Sequence, residues 1–158
     1  MLRHLLNIAS LLVLFLNIGC ASMSGSNKDA VQIYEVDRSL SEIRSLIANI
    51  LPAGQRTISP NGREIQSRHF LIDRKGEYQP AGDALARYFA HLVILGDRRP
   101  YTIEILVTAE KRVKRDQHYT YIVTGYDRRL AKELEKKLLA ELTKRREDLN
   151  IIDDFRVY

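Results

Sequence analysis

Apolar and polar positions alternate through residues 31–36 (Val-Gln-Ile-Tyr-Glu-Val), which predicts a first strand. Ser39-Leu40-Ser41-Glu42 then has the form of a capping box, in which the hydroxyl accepts a backbone N–H and Glu42 reaches back. Leu40, Ile43, Leu46, Ile47, Ile50 and Leu51 follow at helical spacing, and Pro52-Ala53-Gly54 stops the helix. A second strand is predicted over 55–58 and a third over 63–72, with the turn Ser59-Pro60-Asn61-Gly62 between them. Arg74-Lys75-Gly76-Glu77 turns the chain again, and residues 78–83, which contain Pro80 and Gly82, read as an irregular loop.

The second half of the chain is more regular. Residues 87–95 are apolar on both faces, as in a central strand. In 101–113, Tyr101, Ile103, Ile105 and Val107 alternate with Thr102, Glu104, Leu106 and Thr108, so one face is expected to be buried and the other largely wet. A strand over 118–125 places Tyr119, Tyr121 and Val123 on one face. Asp127 can cap a long helix to about residue 146, with Leu130, Ala131, Leu134, Leu138 and Leu142 facing inward. A closing strand is predicted over 155–158. The fold class that follows is α+β, a two-layer sandwich. A mainly antiparallel sheet of four to six strands carries both helices on one face.

The start of the chain is organised differently. Arg3 and His4 lead into an apolar run from Leu5 to Leu16, and Asn17-Ile18-Gly19 stands directly before Cys20, the one cysteine of the protein. With no second cysteine, an internal disulfide is excluded. Residues 1–19 therefore read as a signal peptide, 20–29 as a short polar tether, and 30–158 as a single domain of ordinary composition. Residues 17–20 resemble the lipobox of bacterial lipoproteins. Gly19 is the small residue expected before the cleavage point, and Asn17 stands where the family usually places Leu. The resemblance implies lipid on Cys20, and Ala21 after it implies the outer membrane, facing the periplasm. Gly19-Cys20-Ala21 also fits the small-x-small site of an ordinary secretory signal. An uncleaved anchor is the third reading, although about fourteen apolar-leaning residues fall short of the ~20 that span a bilayer.

Chemistry-bearing motifs are sparse. His69, His91 and His118 are too scattered for a local metal motif, and the pattern calls for neither a metal nor another cofactor. His91 alternates with Phe89 and Val93, which predicts a hydrogen-bonded core histidine. No nucleophile elbow and no glycine-rich phosphate loop occurs, and Asp153-Asp154 on a strand would face opposite ways. The expectation is a protein that is not an enzyme.

The formal net charge of +5 arises from clustered cations. These are Arg98-Arg99, Lys111-Arg112 with Lys114-Arg115, Arg128-Arg129, and Lys144-Arg145-Arg146. Strand order is expected to put Arg98, Arg99, Arg128 and Arg129 at one end of the sheet and to carry Lys144–Arg146 toward the other. Cations suit the last turn of a helix and oppose the first, so Arg128 and Arg129 lack a dipole reason for their position. That end is the candidate anion or partner site, set against the plainer reading of a solvated hairpin end. A secreted chain rarely meets nucleic acid, so none is expected as ligand.

The element order looks like the small helix-on-sheet domains of outer-membrane assembly lipoproteins, including accessory lipoproteins of β-barrel insertion and lipopolysaccharide export. No motif residue accompanies that likeness, so it assigns no binding residues. Two expectations remain for this envelope protein. One is an accessory or scaffold subunit, held to the membrane through Cys20, that docks a protein partner. The other is a module that binds an anionic envelope ligand, such as a lipid headgroup or peptidoglycan, through its basic end.

Overall fold

A long antiparallel hairpin forms the spine of the computed structural model, which describes residues 28–147. Its strands are β6 (Ala86–Leu95) and β7 (Tyr101–Arg115). Their register pairs Leu92 with Ile105 and Ile94 with Ile103, so the apolar sets of the two strands share one face. The other elements attach to this spine. On the far side of β6 lie β3 (Glu64–Ser67) and then β2 (Gln55–Ile58), and β4 (Phe70–Ile72) also pairs with β6 and carries β5 (Tyr78–Pro80). On the far side of β7, β1 (Val31–Val36) takes the first half of the strand and β8 (His118–Tyr126) takes the second. The result is an open eight-stranded antiparallel sheet.

Two helices cover one face, as an α+β sandwich requires. The first, α1 (Leu40–Ile50), begins with the full capping box: Ser39 Oγ accepts from Glu42 N, and the Glu42 carboxylate accepts from Ser39 N. It buries Ile43, Leu46 and Ile47. The second, α2 (Arg128–Glu147), is capped by Asp127, whose Oδ1 accepts from Leu130 N at 3.0 Å. It buries Leu130, Ala131, Leu134 and Leu138. These side chains meet Val31, Ile33, Ile65, Leu92, Ile103, Ile105 and Val107 in a single core. Tyr78 closes its margin. It packs edge-on against Phe70 at 5.3 Å and donates to Glu133 Oε2 at 3.2 Å. Burial first, and then the neighbouring carboxylate, push the Tyr78 hydroxyl up to about 12.

The sheet holds more strands than the expected four to six. The predicted strand over 63–72 is broken at Arg68-His69 into β3 and β4, where its register against β6 shifts by one residue, and β4 also pairs with β5. Residues 78–83 are not wholly a loop: Tyr78, Gln79 and Pro80 form β5 opposite Ile72, Leu71 and Phe70. β5 is an edge strand, where the missing N–H of a proline costs no ladder bond. The second sheet face also differs from the expected wet surface. Thr102, Glu104 and Leu106 are half-buried and Thr108 is buried, because Phe89 and Tyr126 stand opposite Thr108 on its two neighbouring strands. The predicted strand over 155–158 and the whole of residues 1–27, Cys20 included, lie outside the described residues.

Candidate functional site

The register of β7 decides where the basic residues go. Arg98 and Arg99 sit exposed in the β6–β7 turn, and Arg99 faces Asp37 at 3.9 Å. The two residues before them in that turn are held by Arg63, whose guanidinium donates to the carbonyls of Gly96 and Asp97. β8 returns along the distal half of β7 and ends at Tyr126, opposite Thr108. From Tyr101 to Thr108 is about 23 Å at ~3.3 Å per residue. Arg128 and Arg129 therefore start α2 in the middle of the sheet and do not share an end with Arg98 and Arg99.

The course of α2 is likewise the reverse of the expected one. Arg38 Nη2 donates to Leu142 O at 3.3 Å, and Arg38 follows Val36, which pairs with Tyr101. The last turns of the helix thus approach the Arg98–Arg99 end, and Lys144 is carried away from Lys111–Arg115. A length comparison in the sequence could have shown this, since a nine-residue β8 cannot run back along all of a fifteen-residue β7. Nor do Arg128 and Arg129 form an enclosed anion site. With Lys132, Glu133 and Lys136 they border a depression made by one helix alone, and Arg129 is already paired with Glu133 at 2.7 Å.

The helix-free face of the sheet carries a cluster that sequence reasoning missed. Arg87 Nε donates to Glu110 Oε2 at 2.7 Å across the β6–β7 pair, and His69 Nε2 lies 3.4 Å from the same oxygen. Arg56 Nη1 approaches His69 Nε2 at 3.4 Å, and the imidazole meets Phe89 edge-on at 5.7 Å. Burial pulls the His69 pKa below its usual 6.5. The Arg87 guanidinium adds to the lowering, Glu110 opposes it, and Arg56 lowers it further. The guanidinium of Arg87 also stacks on Tyr121, 3.3 Å from the ring centre. No spacing rule joins these residues, because β2, β6, β7, β8 and the break between β3 and β4 contribute them.

His91 belongs to the same face and not to the core. It stands opposite Leu106, its side chain is 26% exposed, and its buried Nε2 makes no hydrogen bond, with Glu64 Oε2 3.6 Å away. The alternation of Phe89, His91 and Val93 identified a shared face correctly, but Ala90, Leu92 and Ile94 are the residues turned to the helices. Among the described residues, no group of three or more His, Cys, Asp and Glu side chains could hold a metal ion.

Among the described residues the β8 edge is unpartnered: β8 pairs with β7 alone, so its outer row of backbone groups is open. Tyr119, Tyr121 and Val123 line one of its faces, and Ile122 stands on the other among His118, Thr120 and Thr124. Tyr119 is 60% exposed and Val123 57%, and Ile122 and Tyr126 are exposed as well. An open edge with such side chains is a template for another strand. The tip of the β7–β8 hairpin extends beyond β6, whose first residue, Ala86, pairs with Lys111. Four cations stand there, and the Arg112 guanidinium stacks on Tyr119 at 4.2 Å. No helix of the described residues is long and apolar enough to cross a membrane. Compared with protein-family models, curated proteins and solved structures, the chain matches none.

Proposed function

We propose that this protein is a non-catalytic, lipid-anchored subunit of the bacterial cell envelope, and that it docks a protein partner along β8. The anchor reading rests on the lipobox-like residues ending at Cys20, and Ala21 after it supports an outer-membrane location facing the periplasm. The docking reading rests on one observation, the open β8 edge with Tyr119, Ile122, Val123 and Tyr126 exposed along it. Strand addition suits such an edge. Main-chain hydrogen bonds supply affinity, and alternate side chains supply specificity. The fitting partner is an extended, apolar segment of another envelope protein. The reading of Arg98, Arg99, Arg128 and Arg129 as one anion site loses its geometric basis, since the two pairs stand far apart along β7.

Affinity capture from detergent-solubilised envelopes tests this reading. Ile122→Lys with Val123→Lys places charge on the edge, where it blocks strand addition at little cost to a solvent-facing position. A discrete partner that survives a high-salt wash on the wild-type protein should be lost by this variant. The same partner should be retained by Arg98→Glu/Arg99→Glu. Retention by the β8 variant, with its melting temperature unchanged, would rule the edge out.

A further inference from the structure

We infer that the tip of the β7–β8 hairpin is a second membrane contact, resting on an anionic lipid surface while Cys20 holds the chain to it. The inference rests on the lipid-anchored reading of Cys20. It adds which part of the domain faces the bilayer.

The tip is strongly cationic. Between Lys111 and Tyr119, Lys111, Arg112, Lys114 and Arg115 stand against the single carboxylate of Asp116. Lys111, Lys114 and Arg115 are exposed, and none of the three is held in a salt bridge of 4.0 Å or less among the described residues. Arg112 is held differently, by Asp83 O at 3.0 Å and by the Tyr119 ring. It therefore fixes the aromatic side chain among the cations. Cations interleaved with tyrosine suit the interfacial layer of a bilayer, where the ring sits at headgroup level and the cations meet lipid phosphates. Leu85 adds an apolar contact at the same end. It is 75% exposed, and its carbonyl accepts from Arg112 N at 2.7 Å.

The direction in which the chain enters the sheet brings Cys20 within reach of the same surface. β1 pairs Val31 with Ile105 and Val36 with Tyr101, so it runs away from the hairpin tip. Val31, where the strand begins, therefore lies nearer the tip than Val36 does. From Ile105 to Arg115 is about 33 Å along β7. The residues from Cys20 to Val31 reach at most ~36–40 Å when extended. A lipid on Cys20 and the basic tip can thus meet one surface without lifting the domain off it. Arg98 and Arg99, at the opposite end of β7, then face away from the bilayer, and the part of β8 beyond the tip, from Ile122 to Tyr126, keeps its edge free for a partner.

The chain contains no tryptophan, so a single introduced indole reports its own surroundings. Tyr119→Trp and, at the opposite end of the sheet, Tyr34→Trp are prepared in the full-length lipidated protein. They are reconstituted in vesicles of phosphatidylcholine alone or in equal parts with phosphatidylglycerol. The emission of the residue-119 indole should shift to the blue, and its quenching by acrylamide should fall several-fold, only with phosphatidylglycerol. The residue-34 indole should respond to neither. Lys111→Glu/Lys114→Glu should reduce the anionic-lipid response at least ~ten-fold, given about five-fold per surface cation removed. Salt at ~1 M should abolish it.

A residue-119 response independent of phosphatidylglycerol, or matched by residue 34, would overturn the inference. A blue shift produced by lipid-free envelope proteins would do so too, and would assign the tip to a protein. Fatty-acid labelling of Cys20 in the same preparations separates this inference from the one beneath it. Lipid on Cys20 with residue 119 indifferent to the vesicles refutes the tip contact alone. No lipid on Cys20, with residue 119 still responding to added anionic vesicles, refutes the anchor and supports the tip contact.

Discussion

His69 shows how this sheet makes a side chain sensitive to acid. Its imidazole is held below its ordinary value of 6.5 by burial and by Arg87 and Arg56, against the pull of Glu110. As pH falls through 6.5 the unfolded chain therefore takes up a proton before the folded chain does. The stability tied to His69 is complete above that pH and is lost progressively below it. Urea melts of wild type and His69→Asn from neutral pH to about 5.5 should show a smaller loss of midpoint in the variant. An equal loss in both would mean that His69 titrates normally in the fold. The sequence could not show this group, because Arg56, Arg87 and Glu110 come from separate strands, His69 comes from the break between β3 and β4, and they meet only through the register. His91 was legible to its face and no further, since period-two alternation says which residues share a face but not which face the helices cover.

At the scale of elements, both helices were legible from end to end, because caps and apolar stripes are local signals. Asp127 caps α2 and Ser39 caps α1 where the sequence places them. Strands that depend on distant partners were less so: β5 contains Pro80 and follows a turn-rich stretch, and only its pairing with β4 makes it a strand. The helix–sheet interface gives a direct stability test. Leu134 and Ile105 are almost wholly buried, so Leu134→Asp or Ile105→Asp should cost about 4 kcal/mol or more. Glu104 lies on the helix-free face and accepts from Gln32 Nε2 at 3.1 Å, so Glu104→Lys should cost about 1 kcal/mol. Equal losses for all three in denaturant melts would contradict the face assignment. The first turn of α2 gives a second test. Arg128→Glu should stabilise by about 0.3–1 kcal/mol through the dipole. Arg129→Glu breaks the pair with Glu133 and adds a like charge four residues away, so it should show little or no such gain. Asp127→Ala should cost about 1 kcal/mol by removing the cap.

At the scale of the whole molecule, the two-layer α+β architecture followed from element order, but the arrangement of the basic groups did not. That arrangement depends on which half of β7 each neighbour takes, and β1 and β8 divide the strand between them. The division leaves β1 and β8 as edges side by side along β7, β8 carrying the exposed apolar side chains, and β2 as the opposite edge, with the helices on one face only. A subunit held at one end by lipid and docked along one edge accounts for each of these features. In-cell photo-crosslinking from Val123 on β8 and from Ile58 on β2, with and without Cys20→Ser, tests that proposal most directly. The expected result is one discrete protein adduct from position 123, none from position 58, and a much weaker adduct once Cys20 is replaced. Adducts from position 58 as strong as those from 123, or none from 123 in the lipidated protein, would contradict it.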